Sequence, residues 1–418
     1  MAKQPKRDLF EDLELYNEKD DNPIIPLAMG APGTDTISGC KDILLESTRI
    51  TLTNEDEKYI FQYGPMKGDP DFLDQLARFL SSEYGNDVDS DNLMATAGAT
   101  QGLHLTASVM FDKRTPVFVE DPTYFIAIKI LREDLGMNII PVPTDGDGII
   151  PEALETAIKE NSMVGSETKT PFKGMVYLMT TFSNPRGISS SPERCRRLVH
   201  LARKYDMLLF TEDVYNLLYF TGTCPPPRLM FYDDKNDADF KGNVLSNGTF
   251  SKILAPGMRL GWIEAPERIL DLVAKCNTSW SGGCFNHYTS RLITTALKQG
   301  MLTKHLHKIR SIYARRMTMV YDLLCEDFPI PIVCEKPKGG FFLWAELPTS
   351  VDSKLLLQIG IEKHGVNFII GSSTSPTESY KNCIRLSISF CDDQKLKRGV
   401  QKLKDAVGEY QTIWGQDK

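Results

Sequence analysis

The sequence has no apolar run of about eighteen residues, the length that a membrane-spanning helix requires. The N-terminal segment, MAKQPKRDLFEDLELYNEKDD, is rich in charge and lacks the apolar core of a secretion signal. From these two absences we expect a cytoplasmic protein with no membrane partner.

Positive charge is not in excess either. The 418 residues include 48 Lys and Arg against 55 Asp and Glu, which gives a net charge of −7. The Lys and Arg residues are scattered rather than gathered into a stripe, so nucleic acid is not an expected partner. An anionic small molecule can still bind where a few cations meet.

Closely spaced metal ligands are also missing. The nine cysteines include no C-x-x-C pair, which favours buried, reduced thiols over a disulfide framework or a zinc knuckle. His305 and His307 are two residues apart in a helical pattern and face different ways, and the other histidines have no ligand-like spacing. We therefore expect no metal site.

Short apolar runs alternate with amphipathic segments along the chain. TPVFVED, GMVYLMTTFSN and MLLFTED have the character of strands, whereas DFLDQLARFLSSEYG and ERCRRLVHLARKYD have helical spacing. This alternation predicts an α/β fold with a mostly parallel central sheet flanked by helices, in which ligands bind beyond the carboxyl ends of the strands.

The pattern changes after about residue 290, where a long helical stretch precedes the strand-like segments GGFFLWAEL and NCIRLSISF. This change indicates a smaller α+β domain. We predict an N-terminal arm over 1–50 that contributes to the small domain, a large domain over 51–290 and a small C-terminal domain over 291–418.

One lysine stands among residues suited to a phosphate. Lys252 follows the hydroxyls of Thr249 and Ser251 and precedes Arg259, whose planar guanidinium matches phosphate oxygens. A lysine is a nucleophile only when neutral, and its commonest covalent use is a Schiff base with a carbonyl. The segment indicates a ligand with a carbonyl and a phosphate, although a surface lysine in a loop remains the alternative.

Polar residues also follow the apolar strand MLLFTED. A buried aspartate there, Asp213, would need a cationic partner such as a protonated pyridine nitrogen, and Tyr215 could then bond the phenolic oxygen of the same ring. We interpret the neighbouring Glu212 as a solvated loop residue or a helix cap.

Two further motifs are weak when taken alone. Gly98-Ala99-Thr100 precedes a helical pattern, and such a start binds either phosphate or water. Asn184-Pro185-Arg186-Gly187 is typical of a simple turn.

In chain order these motifs, with Tyr124 and Arg385, resemble the class I/II aminotransferases, which are fold-type I enzymes dependent on pyridoxal phosphate (PLP). The resemblance extends from about residue 27 to 400. GTFSKILAPGMRLGW and GGFFLWAEL are similar to the 2-aminoadipate and kynurenine aminotransferase branch. The resemblance implies an aspartate aminotransferase-like fold and a ping-pong transfer of an amino group from an amino acid to a 2-oxo acid.

The resemblance also implies a role for individual residues. Lys252 would bind PLP as a Schiff base, with Asp213 and Tyr215 as its catalytic partners. The phosphate would be bound by a set of small and basic residues: Ala99, Thr100, Thr249, Ser251 and Arg259. Asn184 and Tyr215 would bond the ring oxygen, and Tyr124 would stack on the ring.

Other implied roles concern the substrate and a second subunit. Arg385, with Asn184 and the backbone of Gly30, would bind the substrate carboxylate. Tyr63 would reach the phosphate of a neighbouring subunit, which implies a homodimer.

The chain departs from the family pattern near the expected substrate side chain. Arg186 replaces a frequent threonine, and the segments GAPGTDTIS and IIGSSTSP are atypical. The donor is therefore open between 2-aminoadipate and aromatic or kynurenine-like amino acids. A C–S lyase, a cyclopropane-forming synthase on the same fold and a catalytically idle binding relative remain alternatives.

Overall fold

The computed structural model describes residues 24–161, 170–220 and 225–414. The first 23 residues of the predicted arm and Cys224 lie outside these ranges. In chain order, the strands are β1 (Ile25–Pro26), β2 (Leu93–Thr96), β3 (Pro116–Asp121), β4 (Asn138–Asp145), β5 (Gly148–Ile149), β6 (Gly174–Leu178), β7 (Met207–Glu212), β8 (Val244–Thr249), β9 (Gly261–Glu264), β10 (Val333–Cys334), β11 (Phe342–Glu346), β12 (Val366–Asn367), β13 (Ile369–Ile370) and β14 (Cys383–Ser387).

Helices connect and cover these strands. They are α1 (Thr34–Ile37), α2 (Cys40–Asn54), α3 (Glu57–Ile60), α4 (Pro70–Tyr84), α5 (Ala99–Met110), α6 (Phe125–Lys129), α7 (Pro151–Glu160), α8 (Pro192–Tyr205), α9 (Glu267–Ala274), α10 (Asn277–Gly282), α11 (His287–Lys298), α12 (Met301–Cys325), α13 (Ser353–Ile359) and α14 (Asp393–Trp414).

The large sheet has eight strands in the order β2-β9-β8-β7-β6-β3-β4-β5. Its central pairs, from β8 through β7, β6 and β3 to β4, are parallel, whereas β9 and β5 run antiparallel to their neighbours. Every position of β7 and β8 is buried, which explains the apolar run over residues 207–210 of β7. The predicted mostly parallel central sheet is therefore confirmed.

Helices pack on both faces of this sheet. One core cluster joins α5 and α9 to strand residues such as Leu208 and Phe210. A second joins α7 and α8 to strand residues such as Leu209. Successive residues of a strand point to opposite faces, so the two clusters identify which β7 side chain lies on which face.

A smaller antiparallel sheet has the order β10-β11-β14-β13. The N-terminal β1 pairs in parallel with β12, which brings the start of the described chain next to this later part. The smaller α+β unit is thus present, while the boundaries at 50 and 290 stay predictions.

The long helical stretch after residue 290 is two helices rather than one. Gly300, with φ +63°, separates α11 from α12, because a glycine adopts this left-handed conformation at little cost. The first of the two, α11, begins before residue 290 and packs on α2 and α4.

The cysteines and histidines were predicted only in part. The eight described cysteines are thiols rather than disulfides, but Cys325 is exposed, and Cys276 and Cys334 are only half-buried. His305 is buried with its Nε2 3.9 Å from the Cys40 sulfur, whereas His307 is exposed. Within the described ranges, no group of His, Cys, Asp and Glu could hold a metal ion. No helix there is both long and apolar enough to cross a membrane.

Candidate active site

Lys252 lies in the loop that follows β8, half-buried against the N-terminal segment. Its Nζ donates a hydrogen bond to the carbonyl oxygen of Gly30 at 2.8 Å. Burial, together with the positive charges of Arg385 and Arg259, lowers the pKa of the Lys252 amine to about 8, and Glu212 acts in the opposite direction. A larger fraction of this lysine is therefore neutral near physiological pH than of an ordinary lysine, although the protonated form still predominates.

The start of α5 forms an anion-binding position. Gly98 precedes the helix with φ +91°, and no side chain caps the free amides of the first turn, where Ala99 and the exposed Thr100 lie. A Cβ built on Gly98 would be 3.2 Å from Nη2 of Arg259. The guanidinium thus lies beside the positive end of the helix dipole, an arrangement that favours a phosphate.

Two buried hydroxyls, those of Thr249 at the end of β8 and of Ser251 just after it, are the other side chains that the sequence predicts at the phosphate position. Thr249 Oγ1 donates to Ser251 Oγ at 3.0 Å, and the backbone N–H of Ser251 donates to Thr249 Oγ1 at 3.1 Å. Arg259 itself is exposed and takes a left-handed backbone conformation with φ +46°.

Arg385 is a buried guanidinium on β14 whose hydrogen bonding is incomplete. Nη1 donates to Oδ1 of Asn184 at 2.8 Å and Nη2 to the Ala28 carbonyl at 2.6 Å, while Nε has no partner. The group lies 4.0 Å from the ring centroid of Phe342, and burial lowers the pKa of Arg385 to about 10.

The salt bridges within the described ranges include no carboxylate paired with Arg385. A buried positive charge without a counter-ion is costly unless a ligand supplies one. The free Nε and the planar fork suit a ligand carboxylate.

Aromatic rings surround the Arg385 guanidinium and form the buried walls of the candidate site. Tyr215 is buried at the end of β7, 5.2 Å from Phe341 and 5.5 Å from Phe342 between ring centroids. Tyr124 is half-buried at the start of α6, 5.6 Å from Phe125. Such walls exclude water from the space beside Arg385.

The two adjacent carboxylates at the end of β7 are both buried, with Glu212 5% and Asp213 3% exposed. The interpretation of Glu212 as a solvated residue or a cap is therefore wrong. Burial raises the pKa of Glu212 to about 8 and that of Asp213 to about 6. Sequence reasoning missed Glu212 because a strand that is apolar on both faces shows no alternation.

Tyr63 is 79% exposed and lies away from the buried walls. A Cβ built on Gly282 would be 3.7 Å from its ring. Within a single chain, the tyrosine is thus at the surface.

The family model described as aminotransferase class I and II matches residues 22–403. The chain belongs to this family. Enzymes of the family transfer amino groups between amino acids and 2-oxo acids, and their cofactor is pyridoxal phosphate.

Individual relatives match this aminotransferase over nearly all of its length. It is 30% identical to aromatic-amino-acid aminotransferase 1 of Thermococcus litoralis, over 95% of this chain and 91% of that protein. A kynurenine aminotransferase of Pyrococcus horikoshii, solved in complex with PMP, is 31% identical with a TM-score of 0.80, covering 95% and 93% of the two chains. An α-aminoadipate aminotransferase of Thermus thermophilus, solved with N-(5'-phosphopyridoxyl)-L-leucine, is 25% identical with a TM-score of 0.79, covering 94% of each chain.

The residues of this aminotransferase fit the cofactor. The uncapped start of α5 beside Arg259 suits the phosphate, and the amine of Lys252 suits the aldehyde. The Nε of Arg385, which has no hydrogen-bond partner, would suit a substrate carboxylate.

The depressed pKa of Lys252 can be measured directly. In cofactor-free protein, we expect reductive methylation of Lys252 to reach half its maximal rate near pH 8, because the amine is protonated and unreactive below its pKa. Arg385→Gln should move this midpoint to higher pH, since it removes a positive neighbour. The rates would be followed by peptide mass spectrometry, with the exposed Lys58 as an internal reference for the reagent. Identical pH profiles for Lys252 and Lys58 would contradict this account.

Proposed function

We propose that this aminotransferase moves the amino group of an aromatic or similarly large neutral amino acid to a 2-oxo acid, with PLP bound at Lys252. The observation that carries the proposal is the amine of Lys252, whose pKa burial and the flanking Arg259 and Arg385 lower to about 8. One guanidinium is suited to the cofactor phosphate and the other to the substrate carboxylate.

The surrounding residues would hold the cofactor from several sides. Asn184 and Tyr215 would bond the ring oxygen, Tyr124 would stack on the ring, and Glu212 or Asp213 would pair its nitrogen. The phosphate would be held by the residues of the α5 start and the β8 loop: Ala99, Thr100, Thr249, Ser251 and Arg259. Most of these side chains are buried, and Arg259 lies beside Gly98 at the start of α5; both observations support this arrangement.

When bound, PLP supplies an electron sink that acidifies the α-carbon of the substrate. The chain supplies the proton transfer and the orientation. Neutral Lys252 would accept the α-proton of the substrate on Nζ and return it to the cofactor carbon that carried the aldehyde. The Gly30 carbonyl would keep the lysine side chain in place. Arg385 would bind the α-carboxylate through its free Nε and so fix the C–H bond in the direction of Lys252.

The charges at the site favour a neutral donor side chain. The cations that act on Lys252 are Arg385 and Arg259, and these would be occupied by the α-carboxylate and the phosphate. Neither of these two cations is then left for the side-chain carboxylate of 2-aminoadipate. Beside Arg385, the apolar cluster of Ala28, Phe125 and Ile369 offers an apolar surface instead.

A panel of amino donors tests this proposal. With PLP and either pyruvate or 2-oxoglutarate as acceptor, we expect kcat/KM for phenylalanine, tyrosine or kynurenine to exceed that for 2-aminoadipate by about tenfold or more, the cost of an unpaired carboxylate. Arg385→Lys should raise KM for every donor, because the bidentate fork is lost. The matched control is Arg310→Lys, another buried arginine that pairs with Glu83.

Several outcomes would contradict the proposal. These are a preference for 2-aminoadipate, an unchanged KM in Arg385→Lys, or no transfer with any donor. Release of ammonia and pyruvate from a β-substituted amino acid without a 2-oxo acid would instead indicate the lyase alternative.

We also propose that the enzyme works as a homodimer, the usual state of this family, with Tyr63 reaching the phosphate of the partner. An exposed apolar surface supports this: Leu45, Leu52, Tyr59, Phe61, Tyr63, Met66, Trp280 and Tyr288. The ring of Phe61 stacks on that of Tyr288 at 5.6 Å. Nearby, Asn286 donates a hydrogen bond to the Arg259 carbonyl. The surface therefore borders the proposed phosphate position, which is formed by the start of α5 and Arg259. A patch of this kind on a water-soluble enzyme is typical of an interface.

Hybrid dimers test the role of Tyr63. Lys252→Ala and Tyr63→Ala should each be strongly impaired as homodimers. If Tyr63 acts across the interface, a hybrid has one site with both residues intact, so a random mixture should regain about a quarter of the wild-type activity. If Tyr63 acts within its own chain, mixing gives no gain. Full activity of a monomer in sedimentation analysis would also contradict the proposal.

A further inference from the structure

Glu212 and Asp213 point to opposite faces of the large sheet. On β7, Leu208 and Phe210 pack in the cluster that contains α5, and Leu209 packs in the cluster that contains α8. Because side chains alternate along a strand, Glu212 belongs to the α5 face and Asp213 to the α8 face. The anion-binding start of α5 lies on the face of Glu212.

The neighbouring strand β8 supports this assignment through its hydrogen bonds. Nδ2 of Asn247 donates both to Oε1 of Glu212 and to the Ala99 carbonyl, each at 2.9 Å. Glu212 is therefore connected to the first turn of α5 by one amide group. The hydrogen bonds found among the described residues reach the Glu212 carboxyl at Oε1 and not at Oε2.

Asp213 is bound to different partners. Its Oδ2 accepts from Ser246 at 2.5 Å and its Oδ1 from Thr211 at 3.2 Å, so both oxygens are engaged by hydroxyls. The other charges that act on it are those of Arg228 and Glu264, a buried ion pair. These contacts are those of a structural carboxylate.

The electrostatic neighbours differ in the same way. Lys252 acts on Glu212, and Glu212 in turn raises the pKa of Lys252. The other groups that interact electrostatically with Glu212 are the Asn247 amide, the neighbouring Asp213 and the phenols of Tyr177 and Tyr215. Among the described residues no salt bridge pairs Glu212 with a cation, and a buried carboxylate in this position is stabilised by one.

We propose that Glu212, rather than Asp213, is the carboxylate that pairs with the ring nitrogen of the cofactor, and that Asp213 positions the end of β7 from the opposite face. This inference rests on the proposed function, since it requires PLP at Lys252. It assigns the role to the longer glutamate side chain, whose Oε2 is free to accept from the ring.

Three neutral variants test the inference. Glu212→Gln should raise the dissociation constant of PLP by about tenfold or more, the effect expected for loss of a charged hydrogen-bond partner. In cofactor-free protein it should also move the midpoint of Lys252 methylation to lower pH, because a carboxyl group that is partly ionised near pH 8 is replaced by a neutral amide. Asp213→Asn should leave the PLP dissociation constant within about threefold and lower the melting temperature.

Glu120→Gln is the matched control. Glu120 is also a buried glutamate at a strand end, accepts a hydrogen bond from the Met179 backbone N–H at 2.9 Å, and has a pKa that burial raises to about 8. The same substitution there should change neither the PLP dissociation constant nor the Lys252 midpoint. If Asp213→Asn does not fold, Ser246→Ala tests the same face, because it removes a donor to Asp213.

The opposite pattern would overturn the inference: PLP bound normally by Glu212→Gln and about tenfold more weakly by Asp213→Asn or Ser246→Ala. Failure of the proposed function looks different, since the wild-type protein itself would then form no borohydride-stable adduct with PLP at Lys252.

Discussion

The site depends on lowering the pKa of one amine inside a folded chain. In water a lysine is charged at physiological pH, and here burial and two guanidinium groups lower the pKa of Lys252 to about 8. Each contributor comes from a different part of the chain. Strand β8 leads into Lys252, the loop after it contains Arg259, the small sheet carries Arg385, and the N-terminal segment supplies the Gly30 carbonyl.

The packing of the two sheets explains why a buried arginine is tolerated at this position. Arg385 is held by Asn184 and the Ala28 carbonyl and lies against Phe342, but it lacks a carboxylate partner among the residues that the structure describes. Its charge is thus only partly compensated until a ligand binds. The same uncompensated charge helps burial to lower the pKa of Lys252, so the proposed substrate site and the proposed nucleophile are coupled electrostatically.

The sequence predicts the fold well, whereas the roles of the site residues stay predictions and the burial of Glu212 was missed. Lys252 and Arg259 are recognisable because hydroxyls, glycine and proline surround them, and the strands and helices follow from their periodicity. The orientation of Glu212 is not predictable, since β7 is apolar on both faces and only the packing of Leu208 and Leu209 distinguishes them. The role of Tyr63 depends on a second chain, which no pattern within one chain describes.

The most direct test of the central claim is to locate the covalent bond to the cofactor. The wild-type protein would be incubated with PLP, reduced with borohydride, digested and mapped by mass spectrometry. We expect the mass of the reduced cofactor on the peptide that contains Lys252, and no stable adduct in Lys252→Ala. An adduct on another lysine, or an adduct that persists in Lys252→Ala, would contradict the account.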